Sequence, residues 1–106
     1  MTSPGIDRVI ATTSRVVAAK DQVSSDLGGE TILLSMQTAM YYGLEGVAAR
    51  VWELLRTPAR VGDICDVIES EYDVEPARCQ ADVLALLREM SAKGLIEVDD
   101  GAGAGP

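Results

Sequence analysis

The chain contains no histidine and no phenylalanine, and its 106 residues include only two cysteines and one tryptophan. Nucleophilic catalysis needs a base beside the nucleophile, and the commonest such base is missing. Two thiols cannot complete a structural zinc site without histidine or carboxylate help, and no paired-ligand spacing is present. Cys65 and Cys79 fall on the apolar faces of predicted helices, the first beside Ile64 and Ile68, the second beside Val83 and Leu86, so they read as small buried hydrophobes. With aromatics at 4%, the core must be mostly aliphatic, and Trp52 should be its largest member.

Basic side chains are also scarce: 9 against 17 acidic ones, a formal net charge of −8. A nucleic-acid backbone requires a basic surface to displace its counterions. Here Arg50, Arg56, Arg60, Arg78, Arg88 and Lys93 are scattered among carboxylates, so nucleic acid is not an expected partner and the acidity serves solubility. No apolar run approaches a membrane span, and Met1-Thr-Ser-Pro-Gly5 lacks the charged and apolar regions of a signal peptide. The expectation is a cytoplasmic protein with no membrane partner.

What is present is enough for one domain. Hydrophobic residues make up 47% of the chain, and a domain of this length folds without a metal or disulfide staple. Residues 1–15, with Pro4 and Gly5, carry little pattern and are expected to be loosely ordered; residues 16–98 form the domain; residues 99–106, ending in Gly-Ala-Gly-Ala-Gly-Pro, cannot offset their ordering entropy and are expected to be disordered. Strand candidates are Val16–Ala19, Gln22–Ser25, Thr31–Met36 and Met40–Tyr42, with a turn at Gly28-Gly29 and a break at Gln37-Thr38-Ala39 short enough for a hairpin. A meander of about three strands is the economical reading.

Three helices follow. In the first, from about Leu44 to Leu55, Leu44, Val47, Ala48, Val51, Trp52 and Leu55 share one face, and Thr57-Pro58 ends it. The second spans about Val61 to Tyr72, with Asp63 and Asp66 in its first turns. The third opens at Pro76 and closes at Lys93-Gly94. Its core stripe is Cys79, Val83, Leu86, Leu87 and Met90, and Leu84 widens the apolar surface beyond one core contact. Leu95–Val98 is a closing strand or a tail on the helix. The fold class is α+β, a three-stranded antiparallel sheet followed by three helices.

No motif carries chemistry. Glu69, Glu71, Asp73 and Glu75 read as a solvated inter-helix loop. The glycines at 28, 29, 43 and 46 form no phosphate cradle. Ser24-Ser25-Asp26-Leu27 has the wrong order and the wrong place for the modified serine of an acyl carrier protein. No catalytic residue, metal or cofactor is expected, and the chain reads as a binding protein, not an enzyme.

The order Tyr-Tyr-x-Leu-x-x-Val-x-x-x-Val-Trp-Glu-Leu-Leu, then Glu-Tyr-Asp-Val, then Ala-Asp-Val-Leu-Ala-Leu-Leu, then Lys-Gly-Leu-Ile, spanning about Gln22 to Val98, resembles the PqqD-like family of precursor-peptide recognition elements in ribosomal peptide (RiPP) biosynthesis. It is similar above all to the stand-alone members of lasso-peptide pathways. Ala39 stands where the hairpin turn usually carries glycine, Glu45 where an asparagine is common, and Arg60-Val61-Gly62 lacks the hydroxyl that often caps the second helix. The resemblance implies a winged-helix-like domain that binds the leader segment of a precursor peptide as an added strand, in a cleft walled by the third helix. It implies Thr38, Ala39, Met40, Tyr41, Tyr42 and Gly43 as the strand edge, and Gln80, Asp82, Leu84, Leu87 and Ser91 on the helix. It also implies a Tyr-x-x-Pro leader as ligand, with a separate leader peptidase and a ring-closing enzyme as partners. The alternatives are an acidic winged-helix regulator working through protein or DNA contacts, and a module that dimerises through the same open edge.

Overall fold

The computed structural model describes residues 10–98. In chain order the elements are β1 (Arg15–Ala18), β2 (Gln22–Asp26), β3 (Glu30–Ser35), β4 (Tyr41–Glu45), α1 (Val47–Leu54), β5 (Ala59–Arg60), α2 (Val61–Glu71), α3 (Pro76–Ala92) and β6 (Ile96–Val98). The α+β class holds: an antiparallel sheet in the order β2-β3-β4 precedes the three helices. The meander is therefore built from the second, third and fourth strand candidates. The first leaves it, because β1 pairs on one side with β5 and on the other with β6, placing Val16 opposite Val98. Leu95–Val98 thus supplies a true strand, and a second small sheet is closed by residues distant in sequence.

Alternation sets the faces of the meander. Thr31, Leu33 and Ser35 of β3 are buried, with Tyr42 and Leu44 of β4 beside them on the inner face; Glu30, Ile32 and Leu34 point outward together with Tyr41, Gly43 and Glu45. The core joins Leu33 to Val51, Trp52 and Leu55 from α1 and its end, Val61, Ile64, Cys65 and Ile68 from α2, and Cys79, Val83, Leu87 and Met90 from α3. Trp52 is 2% exposed, a packing residue as its helix face implied. The helix α1 starts at Val47 and not at Leu44 because Gly46, at φ +61°, interrupts the backbone and lets β4 run on to Glu45.

The uncapped start of α2 is resolved by the segment before β1. The Val61 N–H donates to the Ser14 carbonyl (2.9 Å) and the Gly62 N–H to the Thr12 carbonyl (2.9 Å), so two helix-end donors are satisfied by backbone where a hydroxyl was missing. A Cβ on Gly62 would lie 3.4 Å from the Thr12 oxygen, at the near limit of ordinary contact, so little beyond a methyl group fits there. Ile10 is buried and the Arg88 guanidinium reaches its carbonyl (3.4 Å). Residues 10–15 are therefore packed against the domain, contrary to the loose lead-in expected of them; the rest of that lead-in and the expected tail at 99–106 lie outside the described residues.

The two sheets meet at Gln22. Its side-chain amide donates to the Ala19 carbonyl (2.8 Å) and to the Leu95 carbonyl (2.7 Å), which also accepts the Ala19 N–H (2.9 Å). The Arg50 guanidinium ties α1 to the end of α2 through two bonds of 2.8 Å to Glu71, and bonds Glu53 at 3.0 Å. The hydrogen bond from Arg50 holds the Glu71 carboxyl below its usual range.

Candidate functional site

Among the described residues strand β4 pairs with β3 on one side only. Its other edge faces α3 across a groove of about 360 Å³ lined by Tyr41, Tyr42, Gly43, Leu44, Leu86, Glu89, Met90, Lys93 and Leu95. Such an edge leaves backbone N–H and C=O groups without a ladder partner. Leu86, half-buried, is the apolar residue that α3 offers to the groove, while Met90 and Leu95 reach its base from the core at 2% exposure each. At one end the Lys93 ammonium lies 3.2 Å from Glu89 and 5.4 Å from the centroid of the Tyr42 ring. The groove therefore carries one cation and one anion, already paired, beside two tyrosines, the β4 backbone and Leu86.

Of the expected strand residues, Tyr41, Tyr42 and Gly43 lie on β4 and line the groove. Thr38, Ala39 and Met40 belong to the hairpin turn and not to the edge: the Ser35 N–H donates to the Met40 carbonyl (2.9 Å) and the Ala39 N–H to the Ser35 carbonyl (2.8 Å). Ala39 adopts φ +59°, the left-handed conformation usually left to glycine.

The helix half is displaced around the axis. Leu87 has no exposed surface and belongs wholly to the core, so it cannot line a groove. Gln80, Leu84 and Ser91 share the flank of α3 on the far side of the core stripe, and none of the three lines the groove. Leu84 and Leu86 are two residues apart, hence about 160° apart around the helix. The flank that faces β4 carries Leu86, Glu89 and Lys93. Asp82 stands one turn before Leu86 on that same flank, exposed and 3.5 Å from Arg78. The helical period places Leu86 in the core stripe; it is half-buried and does both jobs, packing on the core and lining the groove.

Chemistry elsewhere is sparse. Cys65 and Cys79 are free and buried, with the Cys79 sulfur 3.7 Å from the Cys65 carbonyl. Burial pushes the Cys65 thiol up to about 11 and raises that of Cys79 as well. Among the described residues no group of three or more His, Cys, Asp or Glu side chains could hold a metal ion. No described helix is long and apolar enough to cross a membrane.

The family model for coenzyme PQQ synthesis protein D matches residues 30–96, which takes in the groove strand, all three helices and the start of β6. The chain belongs to the PqqD family. One solved structure, "TbiB1 in complex with the TbiA(beta) leader peptide", is 34% identical to this PqqD-family chain, with a TM-score of 0.73 over 76% of this chain and 94% of that one. A second, "Lasso peptide synthetase B1 complexed with the leader peptide", is 21% identical at a TM-score of 0.70, covering 77% and 96%. The PqqD part of PqqCD from Methylobacterium extorquens, described as a stand-alone RiPP recognition element, is 20% identical at a TM-score of 0.69, covering 84% and 95%. The last two likenesses speak for the fold. The chain matches none of the curated proteins.

Proposed function

We propose that this PqqD-family chain binds the leader segment of a ribosomally made precursor peptide, of the lasso class, as an additional strand on the free edge of β4. The observation that carries the reading is the juxtaposition, among the described residues, of an edge without a strand partner, Tyr41–Glu45, with a wall from α3 that sets Leu86 beside the Glu89–Lys93 pair. An extended peptide gains main-chain hydrogen bonds from such an edge, and alternate side chains enter the pocket behind it. The leader complex of the 34% identical relative supports the same ligand class.

On this reading the recognition surface is Tyr41, Tyr42 and Gly43 on the strand and Leu86, Met90 and Lys93 behind it, with Asp82 extending the wall. The aromatic residue of a Tyr-x-x-Pro leader is the side chain suited to Leu86 and the base behind it. The chain performs no chemistry itself. It delivers the bound precursor to a separate leader peptidase and then to a ring-closing enzyme.

Fluorescence anisotropy of a labelled lasso leader peptide of the Tyr-x-x-Pro type tests the reading against its scrambled form. Binding at micromolar Kd or tighter, about −8 kcal/mol, is expected for the leader alone. Equal binding of the scrambled peptide, or no binding of either, overturns it.

A further inference from the structure

On the opposite face of the sheet, β4 carries a second, smaller depression of about 150 Å³, lined by Glu30, Ile32, Gly43, Leu44 and Glu45. Gly43 makes it. Its backbone lies outside the left-handed region, and an added Cβ would find only the Ile32 Cδ1 atom, at an ordinary 3.9 Å. The isolated fold would thus accept a side chain at 43, and glycine here is not required by the turn, the backbone or the packing. Glycine inside a strand is found at bulges, at tight bends and where another chain comes close, and the register through Gly43 is unbroken by a bulge.

The register fixes what surrounds it. Ile32 pairs with Gly43 and Glu30 pairs with Glu45, all on the outer face. Two carboxylates directly opposite each other repel, yet among the described residues neither Glu30 nor Glu45 forms an ion pair. The depression has a hydrocarbon floor and two unneutralised carboxylates at one end.

We infer that this notch is a second side-chain subsite, reading a lysine or arginine of the strand added to β4. This rests on the leader-binding reading above. Successive side chains of an added strand point to opposite faces, so a residue adjacent to the one that enters the α3 groove emerges on the outer face beside Gly43. Its aliphatic stem crosses the bare glycine onto Ile32, and its cation ends between Glu45, its diagonal neighbour, and Glu30. The leader is then read on both faces at once, by hydrocarbon on one and by charge on the other.

The test is a charge scan of the labelled leader peptide, each position replaced in turn by lysine and by glutamate, against the wild-type protein, E30Q/E45Q and Gly43→Val. With wild type, one position an odd number of residues from the groove anchor should favour lysine over glutamate by about tenfold or more. In E30Q/E45Q that preference should collapse while binding of the parent peptide weakens only modestly. In Gly43→Val it should also fall, with circular dichroism unchanged; if that variant misfolds, Gly43→Ala serves. A flat scan in wild type, or the same preference in E30Q/E45Q, overturns the subsite while leaving leader binding intact. Failure of the parent leader to outcompete its scrambled form overturns the leader reading instead.

Discussion

The Lys93 ammonium sits 5.4 Å from the centroid of the Tyr42 ring while remaining 3.2 Å from Glu89. Helix and edge strand are thus held at a fixed spacing at one end of the groove by a cation whose charge is already answered. A ligand entering there meets no unbalanced charge, and binding in the groove proper should lose little between low and physiological salt. A steep salt dependence of the anisotropy Kd in E30Q/E45Q, which lacks the outer-face carboxylates, would place the main contacts elsewhere.

Leu86→Asp should weaken leader binding more than tenfold, about 1.4 kcal/mol or more, because it puts a carboxylate in place of the apolar residue that α3 offers to the groove. Leu84→Asp, on the other flank, should leave affinity within about twofold once the folded fraction is matched. Reversal of that ranking in a titration of both variants would move the groove around the helix.

Ala39→Gly should stabilise the protein by roughly 0.5–1 kcal/mol, since the αL backbone at φ +59° carries a Cβ penalty that glycine escapes at some cost in entropy. Urea unfolding should show a higher midpoint with an unchanged slope. A lower midpoint would mean that the turn relaxes in solution to a conformation alanine prefers.

Gly62→Val should destabilise by about 1–3 kcal/mol, because the branched side chain crowds the Thr12 carbonyl that caps α2. The segment at 10–14 should lose protection from hydrogen exchange along with the start of α2. Loss confined to α2 would show that the two are not coupled.

The Cys65 thiol ordinarily titrates near 9.0 and is pushed up to about 11 by burial, so between those values the folded state keeps a proton that the unfolded state loses. Stability is present in full below pH 9 and should fall as pH rises toward 11. Urea midpoints at pH 8.5 and 10.5 measure the slope, which Cys65→Ala should make shallower. At pH 8 neither native thiol should react with a disulfide reagent until urea unfolds the chain.

Much of this was legible before any coordinates. The three helices are delimited by local signals, Pro76 at the start of α3 and Lys93-Gly94 at its end, and local signals survive in the fold. The second sheet was not legible, because β1 finds its partners about 40 and 80 residues further along and two-residue β5 has no pattern to read. The groove failed for a related reason. The helical period shows that α3 has a core stripe with two flanks, one bearing Leu84 and the other Leu86. It does not show which flank an edge strand will face, since that depends on the side from which β4 arrives. The flank bearing Leu84 is not the one that lines the groove beside β4. A usable signal existed in the ion pairs at four-residue spacing, Arg78 with Asp82 and Glu89 with Lys93, which bracket Leu86 on one line.

The pairing of Val16 with Val98 brings the first and last described strands side by side, while the groove edge belongs to the other sheet. A pull on either of these strands is therefore borne first by their own ladder, and the edge of β4, in the other sheet, is left out of the load path.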